Sequence, residues 1–119
     1  MNEIKNLFIH NSTFRNLFGN STDGGGALMI GESSNVNKIP ENKVQIRACL
    51  FLNSTNLNGG ALSLLDTANV IIDQGTKFIG NYASQQGGAV YFYCSNYGSR
   101  FDMCSLTLSN VTFENNLAD

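Results

Sequence analysis

The residues whose types could support catalysis or metal binding are few in this chain of 119 residues. His10 is the only histidine, and the three cysteines contain no Cys-x-x-Cys pair of the kind that holds zinc or carries out redox chemistry. Among the aspartates, Asp66 and Asp73 flank one predicted corner, and we interpret both as solvated turn residues. We therefore predict no catalytic residue, no metal site and no cofactor.

Two of the cysteines flank a polar segment. Cys94 and Cys104 could close this segment with a disulfide in an oxidising compartment, or they could remain free thiols. Cys49 lies two residues before Phe51, and this even spacing predicts that its side chain points inward as a small core residue.

The composition argues against two kinds of partner. Charged residues make up only 13% of the chain, and the formal net charge is −2 without any basic cluster, so we expect no nucleic-acid binding. No apolar run is long enough to cross a bilayer, so we expect no direct membrane insertion.

The elements that must position these residues follow a repeat of three patterns. An apolar pair at period two begins each of four copies: Leu7 and Ile9, Val44 and Ile46, Val70 and Ile72, Leu106 and Leu108. A phenylalanine follows each pair after five or six residues: Phe14, Phe51, Phe78 and Phe113. A Gly-Gly-Ala segment that leads into a second apolar pair completes three copies, at residues 25–30, 59–64 and 87–92. Such period-two patterns indicate short strands with one apolar face.

Short strands of this kind cannot bury their apolar face alone, but stacked copies can. We therefore predict an all-β fold, a right-handed parallel β-helix (a solenoid) of about four rungs with three short strands each. Residues 1–119 would form a single β-helix segment, which is either a fragment of a longer solenoid or a unit that stacks on its own copies. An antiparallel sandwich would instead show repeated hairpin signals, and Asn58-Gly59 is the only Asn-Gly pair.

Asparagines follow each phenylalanine by two or three residues. We predict that four of them form a ladder of side-chain hydrogen bonds inside one corner of the solenoid: Asn16, Asn53, Asn81 and Asn116.

Sequons for N-glycosylation begin at four asparagines: Asn11, Asn20, Asn53 and Asn110. The spacing of Asn11 and Asn110 from the next phenylalanine predicts outward side chains. For a eukaryotic, secreted source we predict glycan sites at Asn11, Asn20 and Asn110, because Asn53 is expected to be occupied internally in the ladder.

The motifs Gly-Gly-Ala-[Ile/Leu/Val] and Phe-x-x-Asn resemble the repeats in the passenger domains of the chlamydial polymorphic outer-membrane proteins, which are autotransporter adhesins. Residues 78–90 contain both motifs, whereas in the first two copies the asparagine comes one residue earlier, at Asn16 and Asn53. The motifs are also similar to repeats of large surface β-helix proteins of protists. The resemblance implies a secreted adhesin that is exposed at the cell surface.

Three functions are compatible with this fold. We favour a non-catalytic, extracellular structural or adhesive module of a cell-surface or filament-forming protein. Its partners would be neighbouring rungs or end-to-end copies of itself, or a host or cell-surface protein or glycan. Carbohydrate binding is the alternative, because outward rings of Tyr91 and Tyr93 could stack on a sugar. A fragment of a polysaccharide-degrading β-helix enzyme is favoured least, since such sites need clustered carboxylates beside Ca²⁺ or a basic residue.

Two long loops also bear on binding. Residues 31–43 and 93–105 both follow a Gly-Gly-Ala strand, so the loops should leave the same corner and project on the same side. In solenoids, insertions on one face often form the binding face. Neither end of the chain shows a helix or a charged cap, so we expect open ends that can associate.

Overall fold

The computed structural model describes residues 6–20, 25–31, 43–65, 69–94 and 104–119. Within these ranges the regular secondary structure consists of β-strands only. Asp66 and most of the two long loops lie outside the described residues. We predict that Asp66 is a turn residue and that the two loops form a binding face, and both statements stay predictions.

The strands follow one another around successive rungs. The first rung contains β1 (Asn6–His10), β2 (Thr13–Arg15) and β3 (Leu28–Gly31). The second contains β4 (Lys43–Arg47), β5 (Leu50–Leu52), β6 (Thr55–Asn58) and β7 (Leu62–Leu65). The third contains β8 (Asn69–Asp73), β9 (Lys77–Ile79), β10 (Tyr82–Gln86) and β11 (Val90–Tyr93). The fourth contains β12 (Ser105–Leu108), β13 (Thr112–Glu114) and β14 (Leu117–Ala118).

Equivalent strands of successive rungs lie side by side, and all their pairings are parallel. They form four sheets, with the orders β1-β4-β8-β12, β2-β5-β9-β13, β6-β10-β14 and β3-β7-β11. The prediction of a parallel β-helix with about four rungs is confirmed. Its right-handed winding stays a prediction, based on the strong preference of parallel crossovers for that hand.

The two inner rungs carry four strands each, and the prediction of three was wrong. The additional strand is β6 in the second rung and β10 in the third. Its buried residues are Asn56, Asn58 and Ala83, so no alternation of apolar residues marks it in the sequence. In the first rung, an isolated bridge from Phe18 to Thr55 stands at the same place.

Inward side chains of equivalent strands stack in columns, as predicted. The four phenylalanine rings lie almost parallel, with neighbouring centroids 4.7 to 5.1 Å apart: Phe14, Phe51, Phe78 and Phe113. Aliphatic columns pair in the same register beside them, for example Leu7, Val44, Val70 and Leu106. Cys49 is also buried in this core, as its spacing from Phe51 predicts. Full burial of one large apolar side chain contributes about 1.5–3 kcal/mol, so the columns are the main source of stability.

At one corner of the solenoid, the side chains of Asn81 and Asn116 form hydrogen bonds with polar groups of the adjacent rungs. The buried backbone N–H of Ser54 donates to Asn81 Oδ1 at 3.0 Å, and the N–H of Asn81 donates to Asn116 Oδ1 at 3.0 Å. Asn81 Nδ2 in turn donates to Asn116 Oδ1 at 2.9 Å and to Phe51 O at 3.1 Å. Each side chain thus bridges adjacent rungs at a bend where strand pairing stops.

Asn16 and Asn53 do not belong to this ladder, which corrects our prediction for both. They lie one position earlier in the corner, they are exposed, and their φ angles are 56° and 51°. Asn tolerates this left-handed conformation better than other residues with a Cβ atom, and Gly80 has the same position in the third rung. Ser54 has the ladder position in the second rung, where its hydroxyl accepts the N–H of Leu17 at 3.3 Å.

Candidate functional site at the solenoid ends

The last rung leaves its inward column residues open to solvent. Leu108 is 46% exposed and Phe113 is 47% exposed, whereas Phe78, one rung below Phe113, is fully buried. Between β11, β12 and β13 these residues border a groove of about 480 Å³, together with Val90 and Phe92. Among the described residues, no further rung covers the apolar core at this end.

The first rung leaves a smaller groove at the opposite end. Its volume is about 220 Å³, and its walls include Leu7, Leu28 and Ile30, the first members of three inward columns. These side chains are only partly buried, apart from Ile30. The open surfaces at the two ends are thus made of equivalent residues of the repeat.

The two ends differ in one strand position. Within the described residues, the fourth rung has counterparts of β8, β9 and β10, but none of β11. At this end, the described part of the sheet β3-β7-β11 has one rung fewer than the other three sheets. The large groove lies beside β11 and is lined by its residues Val90 and Phe92.

The predicted sugar-stacking residues lie on the outer face of β11. The ring centroids of Tyr91 and Tyr93 are 6.3 Å apart, and the ring planes differ by 9°. Tyr93 is 50% exposed, while Tyr91 is half-buried. On this face Tyr91 is in register with Ser63 of β7, and Ser63 with Met29 of β3. Tyr93 is likewise in register with Leu65, and Leu65 with Gly31. The pair gives this lateral face an aromatic strip that is separate from both ends.

All three predicted glycan acceptors are exposed. Asn11 lies at the corner between β1 and β2, and Asn110 lies at the equivalent corner between β12 and β13, with φ angles of 52° and 54°. Asn20 is exposed and lies four residues after Asn16 in the first rung. The prediction that Asn53 lies inside was wrong, since its side chain is exposed, although Ser54 of its sequon is buried. The sequence signal for this placement is Gly80, which lies at the equivalent position of the third rung and has a positive φ like that of Asn53.

The structure joins Cys94 and Cys104 in a disulfide, with their Cα atoms 6.1 Å apart. This bond links the end of β11 to the start of β12, across the loop that precedes the last rung. The remaining thiol, Cys49, lies 3.2 Å from Arg47 O and 3.4 Å from Ile9 O, so backbone carbonyls accept its weak hydrogen bonds. Its burial is that of a core residue.

The charged residues of the described ranges form no recognisable reaction centre. Arg47 Nε lies 3.0 Å from Asp73 Oδ1 on the outer face of the first sheet, which pairs these two charges with each other. No group of three or more His, Cys, Asp or Glu residues in these ranges is placed to hold a metal ion. The described residues also contain no helix long and apolar enough to span a membrane.

One phenol interacts with a carboxylate between the third and fourth rungs. The hydroxyl of Tyr82 donates a hydrogen bond to Asp119 Oδ2. This hydrogen bond, with smaller effects of desolvation and of the negative charge, raises the pKa of Tyr82 above its ordinary value. Because the tyrosine is already neutral at physiological pH, the contact is structural, not a poised acid or base.

The fold and these surfaces define the chain as a repeat solenoid, and one of its rungs matches a known repeat. Residues 75–93 match the family model of the Chlamydia polymorphic membrane protein repeat. This range runs from the corner before β9 to the end of β11, and it includes Phe78, Asn81 and the third Gly-Gly-Ala segment. No curated protein and no solved structure matches the chain. The match indicates a repeat of the surface-protein type for this part of the chain.

Proposed function

We propose that this chain is a non-catalytic, extracellular structural and adhesive module of a cell-surface or filament-forming protein. The observation that carries the proposal is the stack of equivalent rungs, whose inward side chains form continuous columns. Column residues that are fully buried inside, such as Phe51 and Phe78, have exposed or half-exposed equivalents at both ends. Uncovered columns of this kind favour association with further rungs.

The repeat match supports the surface location. Polymorphic membrane proteins are surface proteins of the outer membrane, and residues 75–93 carry their repeat. The disulfide between Cys94 and Cys104 agrees with an oxidising environment, where such bonds persist. The low charge content leaves the outer faces polar and weakly charged, which suits contact with many kinds of partner.

End-to-end association is the partner interaction that the geometry favours. Residues of the same repeat positions border both grooves, so the two ends match in chemical character. A contact between unlike ends does not close on itself and generates a fibre, instead of a dimer.

Sedimentation velocity over a range of concentrations tests this association with a matched pair of variants. Phe113→Lys places a charge on the open end, and Tyr93→Lys places one on the lateral face at nearly the same exposure, 47% against 50%. We expect wild type and Tyr93→Lys to form larger species as concentration rises, and Phe113→Lys to stay monomeric. Circular dichroism must show that both variants fold. A wild-type chain that stays monomeric at high concentration would contradict the proposal.

N-glycosylation is a further element of the proposal if the source secretes through a glycosylating pathway. Asn11, Asn20 and Asn110 are exposed, and each begins a sequon. We expect glycans at these three positions after secretion from a eukaryotic host, as mapped by mass spectrometry. If none of the three positions carries a glycan, glycosylation is removed from the proposal and the structural role is unaffected.

Carbohydrate binding is the second candidate, favoured by the parallel rings of Tyr91 and Tyr93 on an outer face. A glycan array with the wild-type chain and a Tyr93→Ser variant tests it. Binding of a defined glycan that Tyr93→Ser loses would support this function. Binding that the variant retains would place the contact elsewhere, and no binding would argue against it.

A further inference from the structure

We propose that the outer face of the sheet β2-β5-β9-β13 binds a second copy of the chain side by side, with the two solenoid axes antiparallel. This lateral contact goes beyond the end-to-end association proposed above and does not depend on it. Each strand of the sheet has three residues, of which the first and third point outward. These residues form two columns in register: Thr13, Leu50, Lys77 and Thr112, and Arg15, Leu52, Ile79 and Glu114.

The centre of this lateral face is apolar, although it points away from the core. Leu50, Leu52 and Ile79 hold three of the four outward positions in the two inner rungs, and each is half-buried. The sheet β1-β4-β8-β12 has six outward positions in the same two rungs, of which only Ile71 is apolar. Single outward apolar residues are normal on a protein surface, whereas a cluster of them marks a contact site.

Short corners keep the lateral face accessible on both sides. In the inner rungs the connections before the sheet are residues 48–49 and 74–76, and those after it are residues 53–54 and 80–81. Connections of two or three residues cannot fold over the face. Another flat surface can therefore approach it closely.

The charges of the second column make the lateral face complementary to itself. Arg15 in the first rung and Glu114 in the fourth are exposed, and neither forms an ion pair with another described residue. A two-fold axis parallel to the strands would turn the fourth rung of a second copy toward the first rung of this one. Arg15 would then lie opposite Glu114 of the second copy, and Leu52 opposite its Ile79. Such a match of one patch with itself is what an isologous contact requires.

A parallel arrangement of the two copies is disfavoured by the same charges. A two-fold axis along the solenoid would bring rungs of equal number face to face, and would place Arg15 beside Arg15 and Glu114 beside Glu114. Like charges brought together at an interface lower its affinity. In the antiparallel arrangement Leu50 lies opposite Lys77, whose aliphatic stem can cover the leucine while its ammonium group stays in water.

The lateral contact is small and therefore weak. Four strands of three residues, about 4.8 Å apart, give a face well below the roughly 800 Å² per partner of a standard interface. We expect a dissociation constant on the order of 1 mM, so that sedimentation at low concentration records monomers. Copies held side by side in neighbouring filaments would make many such contacts at once, which raises their combined strength.

Paramagnetic relaxation enhancement between two copies detects a weak dimer and reports its orientation. All samples carry Phe113→Lys, which opposes end-to-end association, and they are produced without glycans, because Asn11 and Asn110 border the lateral face. A nitroxide is attached to an Asn11→Cys or an Asn110→Cys chain. Since Cys49 is buried and the other two cysteines are bonded, the added thiol is the one that reacts.

Each nitroxide-labelled chain is mixed with an isotope-labelled chain at about 1 mM, near the expected dissociation constant. We expect the label at position 11, in the first rung, to broaden the amide signals of Thr112 and Glu114 in the fourth rung of the other copy. The label at position 110 should conversely broaden those of Thr13 and Arg15. A label at position 11 that broadens only first-rung signals, or no broadening with either label, would overturn the proposal.

Two isoleucines of the third rung provide a matched pair of variants. Ile79→Glu changes the lateral face, whereas Ile71→Glu changes the outer face of β1-β4-β8-β12 at a residue that is also half-buried. We expect Ile79→Glu to weaken the enhancement about tenfold, because the dimer would bury a charge at two equivalent contacts. Ile71→Glu should leave it unchanged, and equal effects of the two variants would contradict the assigned face.

A charge exchange at two exposed residues tests the orientation without disturbing the fold. Arg15→Glu should weaken the enhancement, and adding Glu114→Arg should restore it, because each pair then has opposite charges again. A double variant as weak as Arg15→Glu alone would overturn the antiparallel contact. Failure of end-to-end association shows separately, as a wild-type chain without larger species in sedimentation, and leaves the lateral contact standing.

Discussion

The inner and terminal rungs are built from the same repeat, yet they bury it to different degrees. Phe51 and Phe78 are fully buried in the second and third rungs, whereas Phe14 is half-buried in the first and Phe113 is 47% exposed in the fourth. The rings have the same stacking geometry throughout the column. Among the described residues, the inner rungs have two neighbouring rungs and the first and fourth rungs have one, and this number accounts for the difference in burial.

Each rung supplies an apolar face, and its neighbouring rungs determine how far that face is buried. In a quasi-one-dimensional structure, each added rung covers the apolar face of the previous one and exposes an equivalent face of its own. The open surface is consequently a property of any end of such a solenoid, and the repeat pattern alone specifies its chemistry.

The largest expected effect compares two phenylalanines of one column. Phe51→Ala should lower the free energy of unfolding by about 3–5 kcal/mol, because it opens a cavity between two covering rungs. Phe113→Ala should lower it by roughly half as much, because its ring is covered on one side only. Urea unfolding measures both values. Equal losses would show that the end of the solenoid is covered.

The next effect compares two glycines in different surroundings. Gly60→Ala should destabilise by about 2–3 kcal/mol, because the new Cβ atom would overlap backbone atoms of the neighbouring rung. Gly75→Ala should cost about 1–2 kcal/mol, since its φ of 84° strains an alanine but no atom lies within 4 Å of the new Cβ. Thermal unfolding of the two variants compares them. A larger loss at Gly75 would contradict the close backbone approach at Gly60.

A smaller effect concerns the asparagine ladder. Asn81→Ala should cost about 1–3 kcal/mol, because it leaves the buried N–H of Ser54 without its acceptor. Asn116→Ala should cost about 1 kcal/mol, because its bonds are part-buried and lie next to the open end. The order of the two denaturant midpoints checks this prediction, and a reversed order would contradict it.

The smallest effect concerns the ion pair on the outer face. Arg47→Ala should change the free energy of unfolding by about 0–1 kcal/mol, since both side chains remain partly in solvent and gain little from pairing. An Asp73→Asn variant provides the matched change of the partner. A loss above 2 kcal/mol for either variant would mean that this face is covered by something beyond the described residues.

The sequence predicted the columns but not every strand. Leu7, Val44, Val70 and Leu106 were predictable because period-two apolar pairs recur at fixed places before each phenylalanine. Strands β6 and β10 were missed because their buried positions hold Asn56, Asn58 and Ala83 instead of large apolar residues. A strand whose inward side chains are polar or small has no hydrophobic periodicity to reveal it.

The ladder was only partly predictable for a related reason. Two positions in the corner after each phenylalanine favour asparagine, one for its side-chain amide and one for its tolerance of positive φ. Asn53 lies two residues after its phenylalanine, at the position of positive φ, whereas Asn81 lies three residues after its own, at the ladder position. Gly80, directly before Asn81, was the signal that distinguishes them, because glycine has no side chain to contribute to a ladder.

Amide hydrogen exchange on a dilute, monomeric sample of the 119-residue chain tests most directly whether stacking between rungs stabilises the fold. We predict that amides of β4, β5, β8 and β9 exchange about tenfold or more slowly than those of β1, β2, β12 and β13, because opening of the inner strands disrupts contacts on two sides. Sedimentation must show that the sample is monomeric. Terminal strands that exchange as slowly as the inner ones would show that the ends are covered, and would contradict the account.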